Sequence, residues 1–275
     1  MAQIFPSLLA LDFDGVLCNG LREYFQTSWR VYQQVWPEQP LGISLEKLER
    51  QFGQLRAVIT VGWEMPLLLR AIVEGTPAQE ILQDWPKVCD RLLATYHLTA
   101  ADLGARVDGL RDRWIETDWQ SWLALHNFYD GVIAAVQHWQ AQGQALAIVT
   151  TKEQRFVTYL LEQAGLSFPS EAIYGKEQQQ PKPVILQALQ STYGAPLWFV
   201  EDRLGALLQV AATSELEETK LFLATWGYTT AGDRAQAEAH PRIHPLSLEQ
   251  FCKFPHWLSP NPLSFKVVFS ILKKL

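Results

Sequence analysis

Short, uninterrupted apolar runs recur along the chain: Ser7 to Phe13, Ala145 to Thr150 (ALAIVT), Leu197 to Val200 (LWFV) and Leu221 to Ala224 (LFLA). Runs of this length without polar alternation predict strands buried on both faces, as in a parallel sheet covered by helices. The stretches between them carry helix punctuation. Asp130-Gly131 opens one helix that Gly143 closes, the next follows Lys152 and stops at Gly165, and Pro183 suits the first turn of a third. Strands alternating with helices predict an α/β class with a Rossmann-like parallel sheet as its core.

Between residues 18 and 128 the pattern changes, with amphipathic segments and no buried strand. Leu45, Leu48, Phe52 and Leu55 share one face of a helix for which Ser44 is the N-cap. Thr76-Pro77-Ala78-Gln79 has the form of a capping box with proline at N1. Trp29, Trp36, Trp85, Trp114, Trp119 and Trp122 are expected to anchor the packing of these helices. The organisation predicted is an α/β core of residues 1–17 and 129–253, an inserted all-helical cap of 18–128, and a tail of 254–275. The tail ends in SFKVVFSILKKL, a short basic amphipathic segment expected to dock on the protein's own surface rather than on a membrane.

Composition narrows the classes. With 48% hydrophobic and 19% charged residues, the 275-residue chain is an ordinary globular protein rather than a disordered one. A net charge of −6 offers no basic footprint for a phosphate backbone, so nucleic acid is not an expected partner. The first residues lack the basic leader of a signal peptide, and no stretch reaches the roughly 20 apolar residues that span a bilayer. Three widely spaced cysteines, Cys18, Cys89 and Cys252, fit reduced thiols. A cytoplasmic protein without membrane partners is the expectation.

The chemistry begins at the end of the first strand. Asp12 and Asp14 are two residues apart, so in extended geometry their carboxylates leave the same face. Their repulsion is relieved by a divalent cation or by protonation of one, although Asp-Gly is also a common turn. Thr150 ends the second strand, Lys182 precedes Pro183, and Glu201-Asp202 ends the third strand. All can converge at the carboxyl edge of one sheet, where open α/β sheets bind ligands.

In this order Asp12-Phe13-Asp14-Gly15-Val16-Leu17, Ile148-Val149-Thr150-Thr151-Lys152, Pro181-Lys182-Pro183 and Val200-Glu201-Asp202 resemble the four motifs of the haloacid dehalogenase superfamily. The helical insertion is similar to the cap of its phosphoglycolate phosphatase-like members. The resemblance implies a Mg²⁺-dependent phosphatase acting on a small phosphorylated metabolite. Asp12 would be the nucleophile that forms an aspartyl-phosphate, and Asp14 the general acid and base. Thr150 and Lys182 would hold the phosphoryl oxygens, and Mg²⁺ would sit between Asp12, the Asp14 carbonyl and Asp202. An acid at position 14 favours phosphoryl transfer over dehalogenation. A sugar phosphomutase and a catalytically degenerate relative that binds a phosphorylated ligand or a protein remain as alternatives. Many relatives carry a further acid four residues beyond Asp202. Here Arg203, Leu204, Gly205 and Ala206 follow, and Glu201 is expected to stand in for that acid through a metal-bound water.

Lys152 and Lys176 are rivals of Lys182 for the phosphate, and both are expected to be solvated. In the cap, the segment from Arg56 to Met65 is either a loop lowered onto the active site or a plain interhelical connection. Arg22, Arg56, Trp63 and Glu64 are its candidates for substrate contact. The alternating charges from Arg111 to Asp118 fit a solvated helix face. His240 and His244 have a metal-pair separation, but Pro241 and Pro245 predict a loop and no zinc site.

Overall fold

The computed structural model describes residues 5–37, 42–254 and 257; the SFKVVFSILKKL segment lies outside them. The chain opens with β1 (Leu8–Leu11), turns into the short β2 (Cys18–Asn19), and then forms six helices. These are α1 (Leu21–Val35), α2 (Leu45–Leu55), α3 (Glu64–Val73), α4 (Ala78–Gln83), α5 (Trp85–Tyr96) and α6 (Ala100–Leu123). Next, β3 (Asn127–Phe128) pairs antiparallel with β2, so the helical insertion leaves and rejoins the core at one ribbon. The remainder alternates: α7 (Val132–Ala141), β4 (Leu146–Val149), α8 (Gln154–Gln163), β5 (Ile173–Tyr174), α9 (Lys182–Tyr193), β6 (Leu197–Glu201), α10 (Leu204–Ala211), β7 (Lys220–Ala224), α11 (Ala231–Ala239), β8 (Ile243–Leu246) and α12 (Leu248–Phe251).

Six strands make a parallel sheet in the order β5-β4-β1-β6-β7-β8. Every residue of β1 is buried because both faces of the sheet are covered. Successive side chains point to opposite faces. Leu8 and Ala10 pack with Ile185, Leu186 and Leu189 of α9 and Leu204 and Leu207 of α10. Leu9 and Leu11 join Val132 and Val136 of α7 and Val157 and Leu161 of α8. The chain builds from β1 through β4 to β5, then returns to the other flank of β1 for β6, β7 and β8. That reversal opens a crevice at the carboxyl ends of β1, β4 and β6, the usual ligand position in such sheets.

The core of the fold is as its sequence predicts, and the differences have local causes. Two strands beyond the four expected are β5, two residues long, and β8, which runs through His244 and Pro245 where a loop was expected. β8 is an edge strand, where proline costs no ladder bond on the open side. The β2–β3 ribbon adds a pairing too short to show as an apolar run. On α2, Ser44 caps as expected, accepting the Lys47 N–H at 3.3 Å, but the buried face is Leu48, Phe52 and Leu55, with Leu45 exposed. At α4 the N-cap is Pro77, and no side-chain capping bond forms.

Phe25 of α1 meets Phe52 of α2 with ring centroids 5.7 Å apart, both fully buried. Each such side chain contributes about 1.5–3 kcal/mol to holding the insertion together. In α6 the backbone is extended at Asp118, whose Oδ1 accepts the Ser121 N–H at 3.2 Å and so caps a new helical segment. Beyond this kink, Trp119 and Trp122 pack on Tyr159 and Phe156 of α8, at 4.1 and 4.8 Å, linking the insertion to the core. Among the described residues no helix is long and apolar enough to cross a membrane.

Candidate active site

The strands that flank the crevice end in acids. The Asp12 N–H donates to the Val200 carbonyl at 2.9 Å, extending the β1–β6 pairing and setting Asp12 beside Glu201 and Asp202. The three are 6%, 0% and 1% exposed, and one oxygen from each lies within 4.8 Å of the others. Lys182, at the start of α9, brings its Nζ to 2.5 Å from Glu201 Oε2 and 3.0 Å from Asp12 Oδ1. The contact with Asp12 is an ion pair, and no group meets the buried Oδ1 in full hydrogen-bond geometry. Glu201 Oε1 accepts the N–H groups of Asp202 and Arg203 at 3.1 and 2.9 Å, and Asp202 Oδ2 accepts the Tyr228 N–H at 2.7 Å.

Gly15 makes this closeness possible. Its φ is +86°, and a Cβ there would overlap the Asp202 carboxylate.

Electrostatically, the cluster is short of positive charge. Burial, and then the neighbouring Glu201 charge, push the Asp12 carboxyl up to about 7 in spite of Lys182. Burial and Asp12 raise Asp202 to about 6, and burial raises Glu201. Burial would lower the Lys182 ammonium, but the charges of Asp12 and Glu201 outweigh it and hold the group above its usual range. Three buried carboxylates against one lysine, with one carboxylate oxygen left without a donor, suit a divalent cation held by oxygen ligands.

Asp14 lies outside this trio. Its carboxylate turns to Lys152, whose Nζ is 3.2 and 3.3 Å from the two oxygens. Lys152 is 10% exposed, and its Nζ also lies 3.3 Å from His126 Nε2 and 5.6 Å from the Trp122 ring. It is not the solvated lysine the sequence suggested; Lys176 is exposed. Burial, and then Lys152, push His126 down to about 4, so the ring is neutral and accepts at Nε2. Its Nδ1 is buried without a partner. Thr150 is buried beside them, its Oγ1 accepting the Lys152 N–H at 3.2 Å.

A second buried acid stands on the insertion side. Glu23 of α1 is fully buried and accepts from Arg111 Nε and Nη2 of α6, both at 2.8 Å. Thr27 Oγ1 donates at 2.6 Å and Trp122 Nε1 at 3.0 Å. Burial alone would raise this carboxyl, but the Arg111 charge and hydrogen bonds bring it down to about 2. Arg111 is thus half of a buried ion pair rather than part of a solvated helix face, and Trp122 is a site residue as well as a packing anchor.

A cavity of about 590 Å³ lies between the insertion and the core, and Asp14, Glu23, Tyr24, Arg56, Arg111 and Lys152 are among its lining residues. The segment after α2 is one wall, through Ile59, Thr60, Val61 and Gly62, so it is more than an interhelical connection. Arg56 is buried, stacked on Tyr24 at 4.4 Å and Tyr228 at 4.6 Å, and its Nη1 donates to the Ile59 carbonyl at 3.1 Å. Arg203 of the core donates to the same carbonyl. The other three cap candidates do not line the cavity. Arg22 is exposed, Trp63 is half-buried, and Glu64 is buried and accepts from the Thr60 N–H at 2.6 Å, closing the loop from behind.

A family model described as a haloacid dehalogenase-like hydrolase matches residues 6–205. No curated protein matches the sequence. A predicted phosphoglycolate phosphatase from Haemophilus somnus 129PT is 20% identical, with a TM-score of 0.58 over 92% of this chain and 97% of its own. A predicted phosphatase from Clostridium acetobutylicum is 14% identical, with a TM-score of 0.57 over 91% and 98%. A haloacid dehalogenase family hydrolase from Deinococcus radiodurans R1, with bound phosphate and sodium, is 16% identical, with a TM-score of 0.51 over 93% and 98%. At these identities the likeness is one of fold.

Proposed function

The chain belongs to the haloacid dehalogenase-like hydrolase family, and from that premise we propose that it is a Mg²⁺-dependent phosphatase of a small phosphorylated metabolite. Asp12 attacks the phosphorus of a phosphate monoester, the ester oxygen departs, and an aspartyl-phosphate forms on Asp12. Asp14 gives its proton to the departing oxygen, then takes one from the water that releases phosphate and frees Asp12. Lys152 holds Asp14 in place. The Thr150 hydroxyl and the Lys182 ammonium donate to the phosphoryl oxygens. Asp12, Asp202 and the Asp14 carbonyl, with Glu201 behind them, would hold Mg²⁺, which offsets the charge that keeps a carboxylate from approaching a phosphate dianion.

The observation that carries this reading is the buried trio Asp12, Glu201 and Asp202, set against Lys182 at the carboxyl end of the parallel sheet. The phosphate bound by the Deinococcus radiodurans hydrolase of the same fold supports it. The test is phosphate release from p-nitrophenyl phosphate and a panel of sugar and acid phosphates, with Mg²⁺ and with chelator. Release that needs the metal and is lost in Asp12→Asn is expected. Release that survives the substitution would overturn the assignment.

A further inference from the structure

Two contacts fix the Lys152 ammonium, one on the core and one on the insertion. An ammonium is a donor only, with three N–H groups on a flexible stem. Its Nζ lies 3.2 and 3.3 Å from the Asp14 oxygens and 3.3 Å from His126 Nε2, so both groups accept from it. That sets the tautomer, since Nε2 must offer its lone pair and the ring proton sits on Nδ1. Lys152 also lines the cavity together with Glu23, whose buried charge acts on it as well. Without Nε2 as an acceptor, the stem is free to carry the ammonium off Asp14 and toward that acid.

His126 stands where the insertion rejoins the core, between the end of α6 at Leu123 and the start of β3 at Asn127. It is 8% exposed and packs on the Trp122 ring at 4.6 Å, while Trp122 Nε1 donates to Glu23 at 3.0 Å. Nδ1 is buried without a partner, a cost that an apolar ring in the same place would not carry. Packing therefore gives no reason for a histidine here, whereas the contact of Nε2 with Lys152 does.

We propose that His126 is a positioning residue for the general acid. By accepting from Lys152 it holds the ammonium on Asp14, and so keeps the Asp14 carboxyl where it protonates the ester oxygen as the bond to phosphorus breaks. This rests on the phosphatase reading and adds to it the residue through which the insertion orients the acid.

Phenyl phosphate and p-nitrophenyl phosphate separate this role from a structural one. Phenoxide is the more basic leaving group and needs the proton, whereas p-nitrophenolate departs readily as the anion. The readout is the ratio of kcat/KM for the two esters, which covers the steps up to the aspartyl-phosphate. As the reference, Asp14→Asn should depress phenyl phosphate relative to p-nitrophenyl phosphate by about 10²-fold or more. His126→Phe keeps a ring on Trp122 but removes the acceptor, and should shift the ratio the same way by roughly tenfold, a partial loss of that contribution. His126→Gln, whose amide oxygen reaches the place of Nε2, should restore the wild-type ratio. In a Lys152→Met background, His126→Phe should shift the ratio no further, because the two act as one unit. A fold merely loosened would slow both esters alike and leave the ratio in place.

A ratio that Asp14→Asn moves and His126→Phe does not overturns the proposal. So does a His126→Gln no better than His126→Phe, or a further shift in the Lys152→Met background. If His126→Phe does not fold, His126→Asn, whose amide falls short of Lys152, takes its place under the same expectations. If the wild type hydrolyses neither ester, or Asp14→Asn leaves the ratio unchanged, the phosphatase reading has failed and the proposal falls with it.

Discussion

Glu23 gives the sharpest prediction about stability because its environment is fully specified. The carboxylate is buried and accepts four hydrogen bonds, two of them from Arg111 at 2.8 Å, and its titration is shifted from 4.5 to about 2. The folded value lies below the unfolded one, so the unfolded chain takes up this proton first. The resulting stability is complete above pH 4.5 and is lost as pH falls toward 2. At about 1.4 kcal/mol per pH unit, a shift of this size corresponds to about 3 kcal/mol. Urea unfolding followed by tryptophan fluorescence at pH 7, 4.5, 3.5 and 2.5, in wild type and Glu23→Gln, isolates the term as a difference. The wild-type advantage should hold from pH 7 to 4.5 and then shrink by about 3 kcal/mol toward pH 2. His126 gains charge in part of this window, so the subtraction is repeated in a His126→Gln background. A difference that does not change between pH 4.5 and 2.5 would refute the buried pair as described.

Other residues make equally direct predictions. Gly15→Ala puts a Cβ at φ +86° into the Asp202 carboxylate, and should cost at least the roughly 1–2 kcal/mol of left-handed backbone strain together with most of the turnover. Unchanged melting temperature and activity would contradict the close packing of the two loops. His126 is shifted from 6.5 to about 4, so the unfolded chain is protonated first and stability falls as pH drops from 6.5 toward 4. His126→Gln should flatten the stability profile in that window, and an unaltered slope would assign it to other groups. Asp202→Ala should raise the Mg²⁺ concentration needed for half-maximal turnover steeply, and an unchanged titration would remove Asp202 from the metal site.

The apolar runs reveal β1, β4, β6 and β7 because strands buried on both faces leave a continuous signal. The strands β5 and β8 leave almost none, one being two residues long and the other an edge with proline. The same asymmetry governs the site. Asp12, Lys182, Glu201 and Asp202 sit at strand ends or a helix start, so placing the strands brings them together, and Thr150 ends the neighbouring β4. Glu23, Arg111, Trp122 and His126 depend on how α1 and α6 pack, and Arg111 is 88 residues from the acid it binds. One cue was present: Glu23 shares a helical stripe with Thr27 and Val31, both fully buried, which sets an acid on a core-facing side. Such an acid needs a buried cation, but the sequence does not say which one.

The central claim is that Asp12 carries the phosphoryl group during turnover. Rapid acid quench of the wild type turning over p-nitrophenyl phosphate with Mg²⁺, followed by mass spectrometry of the peptide containing Asp12, tests it most directly. The account predicts one added phosphoryl group on Asp12, absent in Asp12→Asn. Steady turnover by the wild type with no phosphoryl group trapped on Asp12, together with activity retained in Asp12→Asn, would contradict it.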